Sequence, residues 1–336
     1  MRQSEKCLRF GIGVVLCAMV LRLASGGAVD TFRRWLETPW AQSLLIYLET
    51  GQRVRSSSLV EAVVLAPESA PPLTLDVSRQ QTQVQADPQP QEVFTRADAQ
   101  SIRLYNTSGL TVDVEELLLS GGEFPEGEGA KVLLYSTHTT ESYTASSGQY
   151  VQTAAYRTLD SGYNMLSLGE ALENLLLQLG VPTVRDETLH DYPSYNAAYT
   201  HARKSVKQFL SREPGLCLVL DLHRDAADTS TGQLRTLAQV NGEQSAQVML
   251  VVGSNASGLT HPDWQSNLAL ALKLQVLLER LSPGITRPVC LRSQRFNQDL
   301  SSGSLLIEIG AAGNTRQEAM ATLPILAEAI RQLLEY

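Results

Sequence analysis

At 336 residues, with 43% hydrophobic and 18% charged, the chain has a globular composition with room for one large domain and further segments. A formal net charge of −8 and a pI near 5.2 exclude nucleic-acid binding through phosphate neutralisation, and no basic tract or base-stacking platform offsets this. The four cysteines, Cys7, Cys17, Cys217 and Cys290, are too scattered for a disulfide framework or a Cys-rich zinc module.

Arg2, Lys6 and Arg9 precede an apolar run over residues 10–21, which Arg22 interrupts. The run is shorter than the about 20 residues of a full membrane span. With its basic leader it predicts an export signal or membrane anchor over residues 1–28. Ala24, Ser25 and Gly26 suit a cleavage site, and a snorkelling Arg22 suits an uncleaved anchor. In either case the remainder is expected on the extracytoplasmic side. Residues 29–65 read as helix and strand pieces. Residues 67–94 are rich in Pro, Gln, Asp and Ser and read as an extended linker. Residues 101–119 alternate weakly and are expected as a small membrane-proximal strand layer. A Gly/Pro/Glu stretch follows. The chain therefore divides into 1–28, a membrane-proximal region over 29–128, and a C-terminal domain over 129–336.

From Lys131 onward, short apolar strands alternate with amphipathic helices. The strands are KVLLYST, VPTVRD, LCLVLDL, AQVMLVVG, RPVCLR and SLLIEIG. Four segments with helical spacing lie between and after them, the first closed by Gly180. This pattern predicts an α/β domain whose central sheet is mostly parallel or mixed and flanked by helices. Ligands gather at the carboxyl ends of such strands.

Three strand ends carry chemistry. The first leads into His138 and Glu141, the third into His223, Arg224 and Asp225, and the last holds Glu308 within an otherwise apolar run. Two imidazoles and a carboxylate make the ligand set of a catalytic zinc with an open fourth position. The H-x-x-E spacing of His138 and Glu141 lets both side chains reach one ion from a single turn. Glu308 is a charge in an apolar strand, where a partner or a general-base role is the usual reason. Asp221 and Asp225 are candidates to orient the imidazole of His223. Ser136 and Ser142 lack a nucleophile elbow, and no phosphate-binding glycine loop occurs. His190 and Asp191 read as a groove-lining or surface loop pair, His261 as a residue at a helix start, and His201 as part of a helix face.

The segments LLYSTHTTESY, LVLDLHRDA, HPDWQSNLALALKLQ and RFNQDLSSGSLLIEIGAAGNTRQEA resemble the stage II sporulation protein P family. The likeness spans the chain from residue 131 on. Before that, only the layout of membrane segment, variable linker and catalytic domain is similar. The family is similar in turn to zinc-dependent N-acetylmuramoyl-L-alanine amidases. The resemblance implies a Zn2+ peptidoglycan hydrolase that cuts the amide between N-acetylmuramic acid and L-alanine, and also stem-peptide cross-links, during engulfment of the forespore. It implies stage II sporulation proteins D and M as partners, and a membrane-anchored domain between forespore and mother-cell membranes. His138 and His223 fall on the family's histidines and Glu308 on its late-strand glutamate. Ser136 stands where family members often carry a further histidine. For the third ligand, Glu141 is preferred by its spacing, while Asp160 and Glu170 lie where amidases place theirs. Arg224 is then expected to polarise the scissile carbonyl, with Asn297 and Asp225 contacting substrate. The alternatives are a stem-peptide endopeptidase without amidase activity and a non-catalytic wall-binding scaffold.

Overall fold

The computed structural model describes residues 94–335 apart from 122–127, 147–148, 152, 154, 230–231 and 241. The expected signal or anchor over 1–28, the pieces over 29–65 and the linker up to residue 93 lie outside the described residues. Among the described residues no helix is long and apolar enough to cross a membrane.

Helix α1 (Arg96–Ser101) opens with a capping box in which Thr95 and Asp98 bond each other's backbone N–H. Strand β1 (Leu104–Asn106) and helix α2 (Val114–Leu119) follow. β2 (Val132–Tyr135), α3 (Met165–Gln178), β3 (Thr183–Arg185), α4 (Ala198–Arg212) and β4 (Leu218–Asp225) come next. Then come two small hairpins, β5 (Asp228–Thr229) with β6 (Gly232–Gln233) and β7 (Leu237–Val240) with β8 (Glu243–Ala246). The chain continues with β9 (Val248–Val252), α5 (Trp264–Leu281), β10 (Val289–Leu291), β11 (Ser304–Ala311) and α6 (Arg316–Leu333).

Residues 101–119 do not form a strand layer of their own. β1 pairs parallel with β10 at the edge of the main sheet, and α2 packs on α5. The weak alternation misleads because Asp113 caps a helix: its carboxylate accepts from Glu116 N, and Leu118 enters the core.

The sheet order is β1-β10-β9-β11-β4-β2-β3. β1, β10 and β9 run parallel to one another, as do β11, β4, β2 and β3, and the two sets meet antiparallel where β9 pairs with β11. The sheet is therefore mixed, and β2, β4 and β11 all end at one rim. Side-chain alternation does the rest. Leu218, Leu220 and Leu222 of β4 enter a large core with α3, α5 and α6, while Val219 packs with Ala202 and Val206 of α4 on the opposite face. Asp221 and His223 share the parity of Val219, so the α4 face of β4 turns from apolar to ionisable as it nears the rim. β11 repeats the pattern: Leu305, Ile307 and Ile309 join the large core, leaving Leu306 and Glu308 on the other face.

Geometry demands glycine at both ends of β11. Gly303 brings the start of β11 against the backbone at Cys217, where an added Cβ would lie 1.8 Å from the carbonyl oxygen. Gly310 takes φ +70°, the left-handed region, as the β11–β4 register shifts between Glu308 and Ala311.

Candidate active site at the carboxyl rim

Glu308 and His223 are register partners on adjacent parallel strands, so their side chains leave the sheet side by side. The loop after β2 crosses the same rim. Its turn is closed by Glu141 N donating to the His138 carbonyl, which places both side chains over the end of β4. The rings of His138 and His223 stand edge to face with centroids 5.5 Å apart. His223 Nδ1 lies 3.4 Å from Glu141 Oε2, and its Nε2 lies 2.9 Å from Asp221 Oδ1, out of line for a hydrogen bond. Four of the residues expected from sequence, His138, Glu141, His223 and Glu308, therefore share one site.

Carboxylates behind these residues hold the loop. Asp221 accepts from Thr137 N and Oγ1, each at 2.7 Å. Asp191 accepts from Thr140 N at 3.1 Å and Thr140 Oγ1 at 2.7 Å, and stands 4.0 Å from His138 Nδ1. His190 and Asp191 are both buried, so the pair is internal scaffolding rather than surface loop.

Electrostatics separates the roles. Burial pushes the Glu308 carboxyl up to about 8, with Glu141 and Asp225 adding to the rise while His223 and Arg224 oppose it. Its Oε2 is closed off without a hydrogen-bond partner, although the residue keeps part of its surface open. Burial acts the same way on Glu141, but Arg224, His223 and His138 outweigh it and bring that carboxyl down to about 2. Burial lowers His138. For His223 the effect of burial is overcome by Asp221 and Glu141, which hold the imidazole well above its ordinary value.

Among the described residues no group of three or more His, Cys, Asp and Glu is arranged to hold a metal ion. The residues nevertheless fit a divalent ion in kind. Two imidazoles and a carboxylate reach one rim from two strand ends, with Glu141 on the Nδ1 side of His223 and His138 Nδ1 buried without a hydrogen-bond partner. Asp160 and Glu170 are exposed, whereas Glu141 is buried with its Oε2 3.4 Å from His223 Nδ1.

The other expected residues take different places. Arg224 is 2% exposed; it donates to the carbonyls of Ser142, Ala155 and Tyr156 and lies 3.5 Å from Glu141 Oε1. Strand alternation sends it away from the face of His223, so it braces Glu141 instead of facing substrate. Asp225 pairs with Arg287 at 2.7 Å. Asn297, in a left-handed conformation, donates to the Tyr199 carbonyl and so supports the start of α4, one step removed from the site. Three neighbours lacked a sequence signal. Tyr195 stacks on His138, Arg157 lies over Tyr195, and Tyr199 meets His138 edge-on.

The family model of stage II sporulation protein P matches residues 50–331. The chain belongs to that family. It is 26% identical over 220 residues to stage II sporulation protein P of Bacillus subtilis strain 168, covering 62% of this chain and 52% of that protein. The chain thus spans about half the length of this curated family relative. Among solved structures, it is similar to the N-acetylmuramoyl-L-alanine amidase AmiC2 of Nostoc punctiforme at 15% identity, covering 62% of this chain and 100% of that one with a TM-score of 0.39. It is also similar to the CwlD amidase of Clostridioides difficile, solved in complex with the GerS lipoprotein. There the identity is 13%, the coverage 61% and 98%, and the TM-score 0.41.

Proposed function

We propose that this family member is a zinc-dependent peptidoglycan hydrolase of sporulation that cleaves the N-acetylmuramoyl–L-alanine amide. The observation that carries the reading is the pairing of Glu308 with His223 at a rim that also gathers His138 and Glu141. Family membership supports the cellular setting. On this reading His138, Glu141 and His223 hold the ion. Zinc, when bound, supplies Lewis acidity toward the scissile carbonyl and the attacking water. Glu308 takes the proton of that water through a carboxylate oxygen and returns it to the leaving amine nitrogen. Asp221 and Asp191 keep the two imidazoles and the 138–141 loop in position, and Arg224 braces Glu141. Stage II sporulation proteins D and M are the proposed partners. The proposed location is the extracytoplasmic side of the membrane, supported by the basic leader ahead of residues 10–21.

The test is digestion of purified peptidoglycan by the full chain, with chelator and with zinc restored, alongside elemental analysis of the protein. The expected products are glycan strands freed of stem peptides and new L-alanine amino termini. Cleavage of cross-links alone would replace the amidase reading with an endopeptidase. A metal-free chain without turnover in supplied zinc would leave a wall-binding scaffold.

A further inference from the structure

Two arginines stand near Glu141, and they differ in what their guanidinium groups have left to offer. Arg224 is closed off and committed to three backbone carbonyls. Arg157 has 23% of its side chain exposed. Its backbone is fixed: it forms a bridge with Glu141, and its N–H bonds Thr153 Oγ1 at 3.1 Å. Its guanidinium makes one long hydrogen bond, from Nη1 to Asp191 Oδ2 at 3.5 Å, while Nη2 lies 3.9 Å from Glu141 Oε1. Those carboxylates have closer donors elsewhere, Asp191 in Thr140 and Glu141 in the backbone N–H of Arg224. Most of the five N–H donors of Arg157 are therefore unused.

The side chain is nonetheless held in place. The guanidinium carbon stands 3.9 Å from the centre of the Tyr195 ring. That ring stacks on His138 with centroids 4.4 Å apart and planes 18° from parallel. Cation–π contact and stacking orient Arg157 on the His138 side of the site, whereas Glu308 stands beside His223. A partly open, pre-oriented guanidinium is matched in geometry to a carboxylate, which it binds through two parallel hydrogen bonds. In peptidoglycan the lactyl carboxyl is consumed in the scissile amide. The nearest free carboxylate is then the α-carboxylate of the acidic second residue of the stem peptide.

We propose that Arg157, propped on Tyr195, binds that stem-peptide carboxylate and so orients the amide toward Glu308. The assignment rests on the hydrolase reading above and adds the anionic feature that this site selects.

The experiment uses the full chain with Glu308→Gln to stop turnover, zinc supplied, and two calorimetric probes. One is N-acetylmuramoyl-L-alanyl-D-glutamine, which carries the free α-carboxylate, and the other is its α-carboxamide. The acid is expected to bind about tenfold more tightly than the amide, as a charge-assisted pair gives. Arg157→Gln removes that preference. Arg157→Met keeps the aliphatic stem over Tyr195 and gives the same result if the glutamine variant does not fold, which thermal melting checks. A parent that binds both probes equally, or a preference that survives the loss of Arg157, overturns the assignment and leaves the hydrolase reading standing. A parent that binds neither probe overturns both.

Discussion

Two carboxylates on the same half of the sheet, Asp186 just after β3 and Glu308 within β11, show opposite solutions to enclosure. Asp186 accepts from Thr188 N at 2.9 Å, meets His190 Nε2 at 3.0 Å, and is bonded by the Ser205 hydroxyl. Burial alone would raise its pKa, but these hydrogen bonds hold it well below the usual carboxylate range. Glu308 leaves Oε2 without a hydrogen-bond partner and is pushed up to about 8. The first carboxylate is fully met by its neighbours and fixes the chain that leads to Asp191. The second is left incomplete within the protein, as a group meant to meet substrate and water would be. Several enclosed imidazole and hydroxyl atoms also lack partners, but among the described residues Glu308 Oε2 is the one enclosed carboxylate oxygen in that state, which makes it informative.

The sharpest way to break this contrast is Glu308→Gln. Hydrolysis is expected to fall roughly 10²–10⁴-fold, the usual contribution of a general base. The melting temperature should hold or rise, because a neutral amide replaces a carboxyl that has no full set of partners. Turnover near the parental rate would remove Glu308 from the chemistry. Asp186→Ala should do the reverse. It strands His190 and the Ser205 hydroxyl and costs about 1–3 kcal/mol of stability, the penalty for unpairing enclosed polar groups. An unchanged urea midpoint would mean that the cluster contributes little.

Asp186 also predicts a pH dependence. Its folded pKa lies below the unfolded value of about 3.9, so its contribution is complete above that pH. It is lost as the pH falls through the lower folded value. Asp186→Asn should therefore narrow the stability gap between about pH 5 and pH 2. Parallel stability curves for parent and variant would assign acid lability to other carboxylates.

The contrast also marks what was legible in the sequence. The apolar runs around β2, β3, β4, β9, β10 and β11 and the helical spacing of α3 to α6 recover most of the sheet and its flanking helices, because burial on the sheet faces dictates their composition. The hairpins β5 to β8 gave no signal: DT, GQ, LAQV and EQSA are too short to show a period. His138, Glu141, His223 and Glu308 were readable because a strand end is a fixed place in this architecture. Arg157 and Tyr195 were not, since segments between the strands carry them to the site and their paths are set by tertiary packing, while Asp191 was read only as part of a groove-lining or surface loop pair. Arg224 stands apart: the alternation of β4 separates it from the face of His223, and its guanidinium is committed to backbone carbonyls.

The smallest effect should come from the helix that follows β11. Thr315 and Glu318 form a capping box at the start of α6, with Thr315 Oγ1 accepting from Glu318 N at 3.2 Å. Glu318 Oε2 also accepts from Asn314 Nδ2 at 2.8 Å, and Asn314 Oδ1 accepts from Ala311 N at 3.0 Å. The cap is thus tied to the end of the strand that carries Glu308. Thr315→Ala removes one cap acceptor and should cost about 1 kcal/mol of global stability. Because Asn314 still grips Ala311 through its own side chain, kcat should stay within the error of the parental value. A loss of activity larger than the loss of stability would show instead that the cap sets the position of Glu308. It would extend the candidate site along β11 into the first turn of α6.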